Sequence, residues 1–367
     1  MGEKSYFESY NIVRFFLAIL VVVTHCNQNL AQIGVLWYHD SPILLQGGAA
    51  VEFFFILSGF LLTYLYLQER SKYGQVNIYF FFVRRVLRIF PLYYLSVLIG
   101  YLLLGILYPM YYSKPYLAFS VSEGLSLHLC FLPNFVIAKW TENVGGLYSL
   151  WSIGVEEQFY ITFPFIMFFV TQRKQPIQYL TIIFVLYVLF YIAVNEQIIF
   201  SMSAVVTRFV YTLKFHFMLI GAFFAFLFFD KKNTAARKCI NNRVFQRIVY
   251  TLITYTLLCE QAFDRYNIAQ GVIFGTFLWI LAEQKAQLPN FTKTFQYGGK
   301  ISFGIYIFHP YVSYLLRLGI EKFSFALSIT TQYPILYYLS ELSISIAVAH
   351  FSYRYYERYF LNLKSGY

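Results

Sequence analysis

The stretch RFFLAILVVVTH, residues 14–25, decides the fold. Ten uncharged, mostly apolar residues separate Arg14 from His25. The run between them reads as membrane, yet it carries a guanidinium at one end and an imidazole at the other. Eleven steps at ~100° per residue return to within ~20° of the starting direction, with a rise of ~16.5 Å. Arg14 and His25 therefore lie on one face of one helix, about half a bilayer apart. Ionisable groups at such depth are costly, so the shared face is expected to line a protein interior or a wet cavity. Alone, Arg14 would read as well as a snorkelling interfacial arginine, and His25 as a buried histidine bonded to a neighbouring helix.

The rest of the chain places this run among similar ones. Of 367 residues, 59% are hydrophobic and only 12% are charged, which points to the bilayer as solvent. Aromatics make up 22%, with 35 Tyr and 42 Phe, and tyrosines suit the interfacial belts. Ten apolar segments of membrane length are expected, at about 10–28, 46–67, 88–108, 147–170, 178–195, 207–229, 247–263, 267–283, 300–318 and 333–353. Residues 109–146 form the longest break and are expected to hold short interfacial helices. With the N-terminus in the cytoplasm, 20 of the 28 Lys and Arg fall on the inner side and 6 on the outer. The expected fold is thus all-α and polytopic, with about ten transmembrane helices and both termini cytoplasmic. The net charge of +11 then reflects topology, and no nucleic-acid partner is expected.

Leader and metal chemistry are not indicated. Glu3 and Glu8 sit where a signal peptide would be basic, and VTHC puts a bulky His25 before Cys26, so the first run is expected to be retained. Four scattered cysteines (Cys26, Cys130, Cys239, Cys259) offer neither a disulfide framework nor a zinc pattern, and no metal is expected. Gly-Gly pairs at 47–48, 145–146 and 298–299 read as flexible helix starts.

Further polar groups stand where lipid should be. In RRVLRIFP, residues 84–91, Arg85 and Arg88 share a helical face, with Arg84 pointing elsewhere. The pair offers planar donors to phosphate, or ordinary inner-face anchoring. In LYSLWSIGVEEQFYITFP, residues 147–164, Glu156 and Glu157 lie at a depth similar to His25. They diverge by ~100°, so one of them is expected to face the same cavity. Glu52 and His309 are added as candidates, while Ser58 and Gly59 read as small residues for helix packing. Glu357 is expected to pair with Arg354 or Arg358.

In combination these pieces resemble the membrane-bound acyltransferase-3 family, over most of the chain and in order. Arg14 and His25 match its Arg-x10-His signature. Glu52 with FFFILSGFLL matches its acidic residue and FFxxSGF stretch. Arg85-x-x-Arg88-Ile-x-Pro91 matches RxxR, and Trp151, Ser152 and Glu156-Glu157-Gln158-Phe159-Tyr160 match WSL-xx-E-xQFY. Ser302 to His309 matches SxxIYxxH, and Arg354 to Glu357 resembles the closing helix. Ile153 and Gly154 depart from the pattern, Gly154 where a more helix-prone residue is expected.

The resemblance implies a single acyltransferase domain over residues 1–367, without an SGNH-type extracytoplasmic domain. It implies transfer of an acyl group, most often acetyl, from cytoplasmic acyl-CoA to a hydroxyl of a cell-surface polysaccharide or lipid-linked sugar. O-antigen, exopolysaccharide, capsule, lipooligosaccharide and peptidoglycan are the acceptors known for the family. The implied location is the bacterial cytoplasmic (inner) membrane, as a multi-pass protein. No permanent cofactor is implied; acetyl-CoA is the donor substrate. Partners would be acyl-CoA, the glycan acceptor, the bilayer and, as an option, a homo-oligomer. His25 is the expected general base, oriented by Glu156 or alternatively Glu157, with His309 as a relay candidate. Arg85 and Arg88 would hold the CoA phosphates, and Arg14 would guide the pantetheine arm or add charge for the phosphates. Glu52, Trp151 and Ser152 complete the cavity candidates. The competing reading is a polysaccharide or lipid flippase or exporter without acyl transfer.

Overall fold

The computed structural model describes residues 4–35, 41–140, 144–198, 202–231, 234–258, 266–284 and 292–363. Among them the chain is helical throughout and contains no strand. Among the described residues each expected apolar segment falls on helix, with 207–229 divided between two helices. First come α1 (Lys4–Gln32), α2 (Gly47–Tyr73) and α3 (Ile78–Gly100), the last continuing through a wide π turn to Tyr112. After the hairpin α4 (Val121–Leu129) and α5 (Pro133–Lys139) come α6 (Leu150–Thr171) and α7 (Pro176–Asn195). Next are α8 (Ala204–Thr212), α9 (Phe215–Phe229), α10 (Arg243–Leu258) and α11 (Ile268–Glu283). Last come α12 (Thr292–Lys322) and α13 (Pro334–Ser352). Seven helical stretches are long and apolar enough to cross a membrane. The shorter α10 and α11 are not among them, nor is the long α12. The expected seventh segment, 247–263, runs past Leu258 into residues outside the described ones.

The apolar surface is distributed as a bilayer requires. α7 turns Ile182, Leu186, Leu189 and Phe190 outward, a strip with no protein partner that suits lipid. Inside, small residues let helices meet backbone to backbone. A Cβ on Gly59 would lie 2.0 Å from the Met218 carbonyl, and one on Gly221 would lie 2.0 Å from that of Ile56. This reciprocal contact locks α2 onto α9, as expected of Gly59. The pair at 298–299 departs from its reading as a flexible start. It lies within α12, and Gly299 presses onto the backbone of Asn11 in α1, where a Cβ would come within 1.9 Å.

Helices α4 and α5 lie in the long break as the short helices expected there; α4 keeps an exposed face, and the hairpin's inner side packs on protein. The hairpin tip packs against the middle of α3, where the Tyr93 ring stacks on Phe131 at 4.4 Å. The Tyr93 hydroxyl donates to the His128 carbonyl at 2.8 Å. Phe131 takes a left-handed φ of 56°. Its carbonyl accepts from Gln158 Nε2 of α6 at 2.9 Å, and Gln158 also bonds Asn134. Irregular backbone is tolerated at such depth only when protein satisfies it. The hairpin also accounts for Gly154: a Cβ there would stand 2.6 Å from the Pro133 ring.

Candidate functional site

Two cavities meet between these helices. The first, of about 360 Å³, holds Arg14 of α1, Ser58 of α2, Arg84, Arg85 and Arg88 of α3, and Glu156 of α6. The second, of about 600 Å³, holds His25 of α1 together with Trp151 and Tyr148 at the start of α6. Val51 and Tyr306 line both, so they form the waist between them. The Tyr306 hydroxyl closes that waist with a 2.7 Å hydrogen bond to Ser152 Oγ. The expectation of one common cavity for Arg14 and His25 is corrected: Arg14 lines one chamber and His25 the other.

His25 is half-buried and pairs with His309, which is fully buried behind it on α12. His309 Nε2 and His25 Nδ1 are 2.9 Å apart, and the rings stack with centroids 4.9 Å apart. The other nitrogen of His309, Nδ1, lies 3.3 Å from the carbonyl of Ile305. A carbonyl only accepts, so Nδ1 carries the proton when His309 is neutral. Nε2 then accepts, and His25 Nδ1 donates to it. The remaining nitrogen of His25, Nε2, is left with a bare lone pair. The pair thus holds His25 in the tautomer a general base needs.

This arrangement corrects the expected orienting carboxylate. Glu156 stands in the arginine chamber, where Ser58 Oγ donates to Oε1 at 2.8 Å and the Tyr160 hydroxyl donates to Oε2 at 3.2 Å. Glu157, one residue on and ~100° around the helix, is turned away from both chambers, so neither glutamate faces His25. His309 occupies the place given to them. Glu52 is corrected as well. It lines neither chamber, but forms a buried ion pair with Lys214 at 2.6 Å and accepts from Asn267. Lys214 sits in the break between α8 and α9, so this carboxylate secures an irregular stretch. Trp151 and Ser152 divide as adjacent residues must: Trp151 faces the histidine chamber, Ser152 the arginine chamber.

The arginines converge as expected. Arg85 lies over the Phe81 ring at 3.8 Å and donates to the Phe81 carbonyl. Arg84, read as pointing elsewhere, reaches the chamber rim, where Glu69 pairs with it at 2.7 Å. Arg14 and Arg88 make no hydrogen bond or ion pair among the described residues. Their guanidinium donors therefore face the chamber unclaimed, with Glu156 as the carboxylate of the same lining. Glu357, expected to meet Arg354 or Arg358, instead accepts from Ser352 at 3.1 Å. Sequence reasoning missed Ser58, Tyr160 and Tyr306 as chamber residues. The spacings Glu156 to Tyr160 (i, i+4) and Tyr306 to His309 (i, i+3) carried the signal for two of them. Among the described residues no cluster of His, Cys, Asp and Glu has metal-binding geometry.

Comparison with known proteins adds a family to this geometry. The acyltransferase-3 family, described as an acyltransferase domain, matches residues 7–354. The O-acetyltransferase OatA of Staphylococcus aureus strain NCTC 8325 is 25% identical over 89% of this chain and 55% of its own length. The OatA proteins of strains COL and MRSA252 match with the same identity and coverage. The chain thus spans about half the length of these curated relatives. No solved structure matches it.

Proposed function

The chain belongs to the acyltransferase-3 family, and from that premise we propose that it moves an acetyl group from acetyl-CoA to a sugar hydroxyl across a closed waist. The observation that carries the proposal is the meeting of two unlike chambers beside the histidine pair. One chamber offers the unclaimed guanidiniums of Arg14 and Arg88, suited to the phosphates of CoA. The other offers a base facing an open cavity. We place the arginine chamber toward the cytoplasm of a bacterial inner membrane, following the 20-to-6 division of basic residues. Arg14 to His25 spans ~16.5 Å of helix, on the order of an extended pantetheine arm. The thioester then reaches the waist while the nucleotide stays at the inner mouth.

The chemistry follows from the tautomers. His25 Nε2 takes the proton of the acceptor hydroxyl as its oxygen attacks the thioester carbon. The Nδ1–H bond to His309 orients the ring and spreads the charge of the imidazolium. The tetrahedral intermediate collapses, the C–S bond breaks, and the proton passes from His25 to the departing sulfur. Glu156 remains in the donor chamber, held by Ser58 and Tyr160, as a counter-charge to its arginines.

The test uses purified protein in lipid nanodiscs with radiolabelled acetyl-CoA and a glycan acceptor. Wild type should transfer label, and His25→Ala should lower kcat by about 10³-fold at equal protein level. Full transfer by His25→Ala would remove the base assignment. Wild type that neither binds nor consumes acetyl-CoA would remove the donor.

A further inference from the structure

Beyond His25, α1 carries a polar stripe that the acyl-transfer step does not use and of which, among the described residues, Gln32 alone bonds a neighbouring helix. Gln28, Asn29 and Gln32 follow His25 at +3, +4 and +7, within ~60° of its direction. All three line the histidine chamber. Gln28 and Gln32 are exposed and Asn29 is half-exposed, whereas Asn27, on another face, is buried against Tyr338. Stripes of this kind usually bond neighbouring helices. Here Gln28 and Asn29 have no hydrogen-bond partner among the described residues, and Gln32 accepts from Arg317 at 2.5 Å.

The rest of the chamber has a matching character. Trp151, Tyr148, Tyr116 and Tyr314 contribute aromatic rings, with Tyr116 and Tyr314 meeting edge to face at 5.4 Å. Flat aromatic surface suits the C–H face of a pyranose, and an amide offers both a donor and an acceptor to a hydroxyl. Charge is nearly absent. Besides His25, Arg317 is the ionisable cation of the lining, and Glu321 lies 3.6 Å from its Nε. Its charge is therefore answered from within the protein.

We propose that Gln28, Asn29 and Gln32 form the acceptor-reading ladder, and that they select an uncharged pyranose over one bearing a carboxylate. The inference rests on the acyl-transfer reading for its purpose, but it concerns sugar binding alone. The ladder rises ~10.5 Å from His25 to Gln32, on the order of two linked pyranose rings. The ring nearest His25 presents the hydroxyl to be acylated. The rings above it hydrogen-bond the amides and lie against the aromatic wall. A carboxylate in this space would lose water and meet no free cation.

Titration calorimetry of the full chain in detergent micelles tests this without acetyl-CoA. The probes are a panel of neutral pyranose disaccharides, with cellobiose as the first, and their uronic-acid counterparts. Neutral sugars should bind, and at least about tenfold tighter than uronates. Gln28→Ala with Asn29→Ala should weaken binding about tenfold or more, and the isosteric Asn29→Asp should weaken it without disturbing the helix. Equal or tighter uronate binding, no binding of any neutral sugar, or unchanged affinity in both variants would overturn the proposal. Loss of the acyl-transfer reading shows separately, as failure to bind acetyl-CoA with sugar binding intact.

Discussion

At His25 the decisive quantity is which nitrogen holds a proton, and the Val21 carbonyl on its own helix and His309 on the next both bear on it. Truncating His309 should therefore act on His25 without touching either substrate. On the proposed reading, His309→Ala lowers kcat by about 10²-fold or more, with acetyl-CoA affinity unchanged. His309→Gln can offer a carbonyl oxygen near the former Nε2 and should recover part of the loss, as read by steady-state kinetics. Equal activity in the Ala and Gln variants would refute the orienting role. Glu52 makes the opposite case, a family-motif carboxylate whose partners are structural. Lys214→Met leaves that carboxylate buried and unpaired, at a cost of about 3 kcal/mol. The expected signature is a lower Tm in detergent micelles, with acetyl-CoA affinity at the wild-type level.

At the scale of elements, α3 and α6 do most of the sorting. The three-residue spacing of Arg85 and Arg88 delivers both to the same chamber, but Arg85 is partly held by Phe81. Arg88→Ala should then raise the Kd for acetyl-CoA more than Arg85→Ala, by about tenfold or more. Competition with CoA and dephospho-CoA measures it; equal losses would mean that the Phe81 contacts do not weaken Arg85. In α6, one turn carries three separate duties: Glu156 faces the arginine chamber, Glu157 faces away, and Gln158 satisfies the hairpin tip. Gln158→Ala strands the Phe131 carbonyl and one side of Asn134. It should cost about 2 kcal/mol, seen as a lower Tm. Gly154→Leu should be worse, because the side chain would have to occupy the space of Pro133. A wild-type Tm in both would show that the hairpin is not held by α6.

Over the whole molecule, periodicity and charge revealed more than depth did. Apolar segments were legible because the bilayer demands length and apolarity, and among the described residues they are helical, seven stretches being long and apolar enough to span. The co-facing of Arg14 and His25 was legible from phase alone. What phase could not supply was the partner across the gap. Glu156 and His25 seem equally deep when counted along their own helices, but the Tyr306 waist lies between their chambers. His309 was visible as a residue, whereas its bond to His25 spans 284 positions and depends on how α12 leans on α1. Short helices were legible in residues 109–146, whereas the docking of the α4–α5 hairpin tip on α3 and α6 was not, because it depends on tertiary contacts. Gly154 looked like a flaw for the same reason.

The closed waist between the chambers has an electrical consequence. On the proposed reading, one acetyl group leaves the inner side for each hydroxyl proton that ends on the thiol there. The acceptor enters and departs as a neutral molecule, and the CoA phosphates return to the side they came from. Nothing charged completes a crossing, so the membrane voltage does no net work on the cycle. In sealed vesicles, a potassium gradient with valinomycin should leave the equilibrium of acetylation unmoved in either polarity. A reaction that could be driven backward by voltage would require an ion to pass Tyr306. The cell could then decorate its outer face at any state of energisation, as long as acetyl-CoA remains in the cytoplasm.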